Sequence, residues 1–370
     1  EYRIGNVTEK PEEAERTSLA EPYGNEPARH PALVVRSHKP FNAEPPLALM
    51  AESYITPNDL FYVRNHLPVP VVDAETYTLK VELEGDHCIS LSLEDLKTKF
   101  PKHSVTATIQ CAGNRRNEMT EIKPVKGGFW DVGAISTATW SGPRLSDILR
   151  YAGVSEDSVN AAGAKHLQLE GLDTDPTTQT IYGASVPIEV AMDPRQDCVL
   201  AYEMNGVELP RDHGYPVRAV IPGIVGARNV KWLDKIIVSR EESQSHWQQK
   251  DYKGFNASVD WHNVDFSKMP AIQELPVVSA ITSPSDGSTL DLDSSEVTVK
   301  GMAWSGGGRG ITRVDVSVDD GKTWHDATIQ EQDRPAQARN RVWSWALWEA
   351  TVPIDVSSLP EDTRKLQICV

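Results

Sequence analysis

The chain has 370 residues, 39% of them hydrophobic, with 10 Trp and a formal net charge of -16. That length suits two domains, each able to bury a core of its own. The acidic balance argues against nucleic acid, whose binding needs a basic surface to release phosphate counterions, and no apolar run approaches the ~18 residues that span a bilayer.

Residues 1–30 are rich in Glu and Pro with little apolar periodicity, and they read as a linker. The chain opens on Glu1 with no charged-then-apolar leader, which reads as a processed or trimmed product. The Asn-x-Ser/Thr triplets at Asn6 and Asn256 recur by chance and are discounted.

A mixed helix and strand pattern runs from 31 to 270. Residues 77–83 and 105–110 are β-branched and alternating, as strands should be, and so are 217–221. Short helices are predicted at 92–100, where Ser-Leu-Glu-Asp resembles a capped start, and at 144–152. The many Gly and Pro residues imply long loops, where ligand contacts concentrate.

From 271 the character changes to short strands, predicted at 296–304, 312–318, 323–329 and 342–352. Residues 314–318 alternate cleanly, whereas Trp343-Ser344-Trp345-Ala346-Leu347-Trp348 suits a strand buried on both faces. Asp319-Asp320-Gly321 is a hairpin turn, because Asp-Gly tolerates positive φ. Such spacing predicts an immunoglobulin-like sandwich. The glycine-rich 305–310 opens no helix, so a flexible connection is expected there rather than a phosphate loop. Residues 365–370 read as part of a strand. Four scattered cysteines, Cys88, Cys111, Cys198 and Cys369, do not make a disulfide framework and suit a reducing or mildly oxidising compartment.

Residues 105–116 carry the chemistry. A β-branched run delivers Cys111 to a strand end, Gly113 permits a turn, and Arg115 and Arg116 follow. A thiolate beside guanidiniums is activated toward a soft metal, and forked arginine donors suit an oxyanion. The plainer alternative is a small buried hydrophobe with arginines paired to carboxylates. No Cys-x-x-Cys or His-x-x-x-His accompanies Cys111, so a metal here would draw most of its ligands from a cofactor.

Residues 110–119 (QCAGNRRNEM), Gly127-Gly128-Phe129-Trp130 and 133–137, with the blocks 61–68, 211–218, 226–232, 245–247 and 251–255, closely resemble the animal sulfite oxidase family. The likeness runs from about Tyr23 to the last residue. It implies an α+β molybdopterin-binding domain over 31–270, followed by an all-β immunoglobulin-like dimerisation domain over 271–370. Further strands, and one more arginine of the anion pocket, are implied beyond Val370. In animal members a small haem domain precedes such a linker, so haem b is expected only in a separate domain.

The resemblance implies a molybdenum-molybdopterin cofactor with Cys111 as the one protein ligand to the metal. It implies a sulfite pocket lined by Arg64, Arg116, Trp130 and Tyr252. The pterin and its phosphate would be held by Tyr62, Val63, Arg64, Asn65, His66, Asp173, His213, Arg218, Asn229, Val230 and Lys231. Taken singly, Asp173 also reads as a turn residue, His213 as a polar loop residue and Lys231 as a surface stem along Trp232. The implied activity is oxidation of sulfite to sulfate by oxygen-atom transfer. Electrons would pass through a haem domain to cytochrome c, a basic partner suited to the acidic exterior. A homodimer in the mitochondrial intermembrane space is implied as well. An anionic substrate is compatible with the charge of -16 if Arg64, Arg115 and Arg116 share a low-dielectric cleft, since salt screens the outer surface beyond about 8–10 Å. The rivals are a nitrate reductase-type molybdenum enzyme and a non-catalytic dimeric binding module.

Overall fold

A computed structural model describes residues 21–83, 87–291, 293–330, 340–355 and 366–370. Most of the expected linker, Asn6 included, and Lys365 lie outside the described residues.

The larger sheet has five strands in the order His87–Ser92, Thr78–Leu83, Leu233–Ser239, His166–Thr174, Ile181–Pro187. All neighbours are antiparallel except Thr78–Leu83 with Leu233–Ser239. Alternation explains the burial: along His166–Thr174 every second side chain is buried. Leu79, Val81, Leu167, Leu169 and Ile236 meet Leu96 of the helix Leu93–Thr98 and Ile148 of the helix Leu145–Tyr151 in one core. Ser92 caps the first of these helices. Its hydroxyl accepts from the Asp95 N–H, and the Asp95 carboxylate accepts from the Ser92 N–H.

The second sheet is built on a long hairpin. Lys102–Gln110 and Ile135–Pro143 pair without a break from Lys102 opposite Pro143 to Gln110 opposite Ile135. Facing hydroxyls bridge Thr106 to Thr139 at 2.9 Å and Ser104 to Ser141 at 2.8 Å. Gly142 has to be glycine, because a Cβ there would lie 1.9 Å from the Leu200 carbonyl. This hairpin ends immediately before Cys111.

Beyond Ala271 the described chain is built from strands, after the single helical turn Phe266–Lys268. Four strands run in the order Val278–Ser283, Glu296–Trp304, Ala346–Pro353, Thr328–Ile329, with a separate pair of Asp315–Val316 and His325–Asp326. An α+β portion followed by an all-β portion is the architecture the sequence implies. The tryptophan-rich run 343–348 is buried throughout, but the strand expected over 342–352 begins only at Ala346.

Four further expectations need correction. Residues 323–329 are not one strand: His325–Asp326 pairs with Asp315–Val316, whereas Thr328–Ile329 pairs with Ala346–Pro353. The chain changes sheets at Ala327, and only two of residues 312–318 stay in strand. The segment 305–310 is closely packed rather than flexible. The Gly307 N–H donates to the Gly223 carbonyl at 2.9 Å, and the Gly306 N–H to Leu275 at 3.1 Å. A Cβ on Gly308 would lie 2.6 Å from the Asn340 carbonyl. Finally, residues 366–370 make isolated bridges, Cys369 to Ser317 and Gln367 to Asp319, in place of a continuous strand. Among the described residues no helix is long and apolar enough to cross a membrane.

Candidate active site

The hairpin hands Cys111 to the site with its backbone already constrained. Its N–H donates to the Ala134 carbonyl at 2.9 Å, and two turns follow as Asn114 N–H donates to Cys111 and Arg116 N–H to Gly113, both at 3.1 Å. Arg115 takes the left-handed conformation, φ 62°, which swings the chain into the helix Arg116–Ile122. Cys111 is buried, and its Sγ accepts from the Gly113 N–H at 3.3 Å. Gly113 is an obligate glycine here. An added Cβ would stand 2.6 Å from Arg116 Nη2 and 2.9 Å from Trp130 Cδ1, so both side chains close over the residue two beyond the cysteine. Arg116 is held by donation to the Gly128 carbonyl.

Cys111 forms one wall of a cleft enclosing about 640 Å³, part of it open to solvent. Tyr62, Arg64 and His66 line it, whereas Val63 packs with Leu33, Phe41 and Ala43, and the Asn65 amide turns to Asp212. The reason is period two: successive residues of an extended segment face opposite ways. Asn229, Lys231 and Trp232 also line the cleft, from the irregular stretch after the turn Gly226–Arg228, with Val230 among them in the main core. Asp173, His213, Arg218 and Tyr252 complete the expected set on the lining, and Arg116 and Trp130 stand behind Gly113 instead.

Arg115 departs from expectation. Its guanidinium pairs with Glu118 at 2.7 Å and donates to the Ser279 carbonyl at 3.1 Å, which ties the helix Arg116–Ile122 to the C-terminal sheet. It adds nothing to the cleft wall.

Three cations and one carboxylate face this cleft. Arg218 is buried and donates only to carbonyls, His213 and Asn229 at 3.0 Å and Ala219 at 3.4 Å; burial pulls it down to about 10. Lys231 is pulled down to about 7 by burial against the opposing pull of Asp212. Arg64 is lowered by burial but raised more by Tyr252 and Cys111, so its net shift is upward. Burial pushes Asp173 up to about 7, and its Oδ1 has no hydrogen-bond partner. His66 is driven well below its usual range by burial and then by Arg64 and Lys231, which keeps its ring neutral. The ring nitrogen Nε2 of His66 meets the Tyr252 hydroxyl, and Arg64 donates to that hydroxyl at 3.5 Å.

Several lining residues carry no signal in the sequence. Tyr182 lies tilted against His66 and Trp247 at 4.7 and 5.0 Å between centroids, and its hydroxyl donates to the Ala227 carbonyl at 2.8 Å. It lies in an ordinary strand, Ile181–Pro187, with no motif around it. Phe61, Gly226 and Ala227 fall inside the recognised blocks but only the fold shows that they form a wall.

Among the described residues no group of three His, Cys, Asp or Glu side chains could hold a metal ion. The donor set therefore fits a cofactor that brings most of the metal's ligands with it. One soft sulfur, cations without an ion pair among the described residues, and a buried unpartnered carboxylate oxygen match an anionic, sulfur-bearing pterin with ring N–H groups.

Residues 66–247 match the family model of the oxidoreductase molybdopterin binding domain, and 269–365 that of the Mo-co oxidoreductase dimerisation domain. Sulfite oxidase of Gallus gallus is 53% identical over 97% of this chain and 76% of that protein. Mitochondrial sulfite oxidase of Homo sapiens is 54% identical over 96% of this chain, which spans 63% of that protein. The crystal structure of the sulfane dehydrogenase SoxCD from Paracoccus pantotrophus matches with a TM-score of 0.70 at 27% identity, over 93% of this chain and 82% of that one. Two domain models in order, with near-complete coverage at over half identity, settle the lineage: this chain belongs to the sulfite oxidase family of molybdopterin oxidoreductases.

Proposed function

We propose that the cleft oxidises sulfite to sulfate, with Cys111 as the protein ligand of a molybdenum-molybdopterin cofactor. The observation that carries this reading is the meeting of one buried sulfur with three cations that no ion pair neutralises among the described residues. When bound, the cofactor supplies the oxygen-atom transfer and the two-electron redox chemistry. The chain supplies position and charge. Arg64 offers forked donors to the oxygens of a small oxyanion, an interaction that strengthens as negative charge spreads over them, and Arg116 behind Gly113 adds positive charge to the same end. The Tyr252 hydroxyl, set between His66 and Arg64, presents a polar hydrogen to the same oxygens. Lys231, Arg218 and His213 would hold the anionic end of the cofactor, and Asp173, whose Oδ1 has no partner, would be available to a donor on it.

The electrons leave through a haem domain to cytochrome c, whose basic surface suits a chain of charge -16. The matched dimerisation domain supports a homodimer, and the mitochondrial relatives support residence in the mitochondrial intermembrane space.

The test combines elemental analysis with a paired assay. One molybdenum per chain, turnover of sulfite with ferricyanide, and none of nitrate with a reduced dye is the expected result. Nitrate turnover in place of sulfite would overturn the substrate, and a protein free of molybdenum would overturn the enzyme altogether. Cys111→Ser should abolish turnover with the circular dichroism spectrum unchanged, and full activity in that variant would remove Cys111 as ligand.

A further inference from the structure

The segment ahead of the strand Val34–His38 reads in sequence as the end of a linker, yet two of its side chains reach the polar scaffold beneath the cleft. Arg29 donates through Nε and Nη2 to the two carboxylate oxygens of Asp212, at 2.8 and 2.9 Å, and its guanidinium lies 3.9 Å over the Phe41 ring. Glu26 pairs with Arg29 and accepts from the Val69 N–H at 2.9 Å. Asp212 is buried, and its Oδ1 also accepts from the Asn65 amide at 3.0 Å. The oxygen of that amide accepts from the Lys231 ammonium, which donates as well to the carbonyls of Asp212 at 2.7 Å and Arg64 at 3.0 Å.

Lys231 spends all three of its donors on neutral oxygens, although a carboxylate belongs to one of the same residues. Arg29 meanwhile holds both oxygens of Asp212. The charge of Lys231 is thereby left without an ion pair among the described residues, on the wall of the cleft.

We propose that Arg29 is a positioning residue for the cofactor site: by holding the Asp212 carboxylate it keeps Lys231 out of a direct ion pair and facing an anionic cofactor. This rests on the reading that the cleft holds the anionic pterin. Without Arg29 a buried carboxylate is left unpaired, and Lys231, whose charge already acts on it, is a cation within reach to neutralise it, beside the neighbouring Arg211. Turning that ammonium toward Asp212 takes its charge away from the ligand. The N-terminal segment is thus part of the machinery that retains the cofactor.

The experiment follows cofactor loss from purified holoenzyme, reading molybdenum per chain and pterin fluorescence in the filtrate after timed incubation and desalting. Arg29→Gln should release both about tenfold faster than the parent, the loss expected for one charge-assisted contact. Arg29→Lys should fall between them, keeping the charge but losing the fork. The double variant Arg29→Gln/Asp212→Asn should return to within about threefold of the parent, because no buried charge is then left unpaired. Release from Arg29→Gln at the parental rate would overturn the proposal. So would a double variant as leaky as the single one, since Arg29 would then act only by packing on Phe41. A parent protein that never carries molybdenum would overturn the cofactor reading itself, and this proposal with it.

Discussion

His213 is packed so that its ring stays neutral: burial first, then Lys231 and Arg218, pull it down to about 4 against the opposing pull of Asp212. Its folded pKa lies below the unfolded value of about 6.5, so the stability it contributes is fully present above about pH 6.5 and is lost as pH falls through 6.5 toward 4. The full difference is on the order of 3 kcal/mol. His66 is shifted in the same direction and adds to the same acid limb. His213→Gln, with the charge site removed, should therefore flatten the fall in Tm between pH 6.5 and 4. An acid limb as steep as the parent's would show that His213 is not the group responsible. At the substrate end, Arg64 is half-buried, and donates to Asn42 at 3.3 Å as well as to Tyr252. Arg64→Gln keeps a donor but removes the charge and the fork, so the KM for sulfite should rise at least about tenfold, roughly the value of one charge-assisted contact. An unchanged KM would take Arg64 out of the pocket.

The hairpin of Lys102–Gln110 with Ile135–Pro143 is the element on which the cysteine depends. Its continuous register leaves no slack by which Cys111 could shift, because a slip of one residue would turn every side chain to the opposite face. Gly142→Ala drives a Cβ into the Leu200 carbonyl and should cost at least about 3 kcal/mol, the upper range for overpacking. A thermal melt within a degree of the parent would contradict that. By contrast, Ser92→Ala removes one cap from a short helix far from the cleft and should cost only about 1 kcal/mol, with sulfite turnover unaltered. Elements of this kind were legible in sequence because local signals sufficed: the capping box, the β-branched run 105–110 and the alternation of 77–83. The strand expected over 323–329 was not legible as two pieces. Nothing local to Ala327 announces that its two sides pair with different sheets.

At the scale of the whole molecule, the C-terminal sheet is fastened directly to the hairpin that carries Cys111. The Thr108 N–H donates to the Trp343 carbonyl at 3.1 Å, and its hydroxyl accepts from the Trp345 N–H at 2.8 Å. Asp197 closes the joint. Its buried carboxylate accepts from Arg341 and from the Trp343 indole at 2.9 Å on the C-terminal side, and faces His103 at 3.2 Å and Arg144 at 4.0 Å on the other. Asp197→Ala should destabilise by about 2–3 kcal/mol, less than for a fully buried pair because the arginines reach solvent. Calorimetry checks it. The expected outcome is a lower Tm with the C-terminal portion melting ahead of the rest, and a single transition at the parental Tm would dismiss the joint.

Sequence alone determined the architecture and the place of Cys111 at a strand end, because strand period, caps and ordered blocks are local properties of the chain; the expected lining residues came from the family resemblance, and only part of that set lies on the cleft wall. Only the tertiary structure decided orientation. It set Tyr62, Arg64 and His66 toward the cleft and Val63 and Asn65 away, sent Arg115 to Glu118, and brought Tyr182 against His66 from a distant strand. It also joined Arg29 to Asp212, 183 positions away, turning a stretch that reads as linker into part of the site. Contacts of that span are made by packing and charge pairing across sheets, and no short window of residues records which partner will be there.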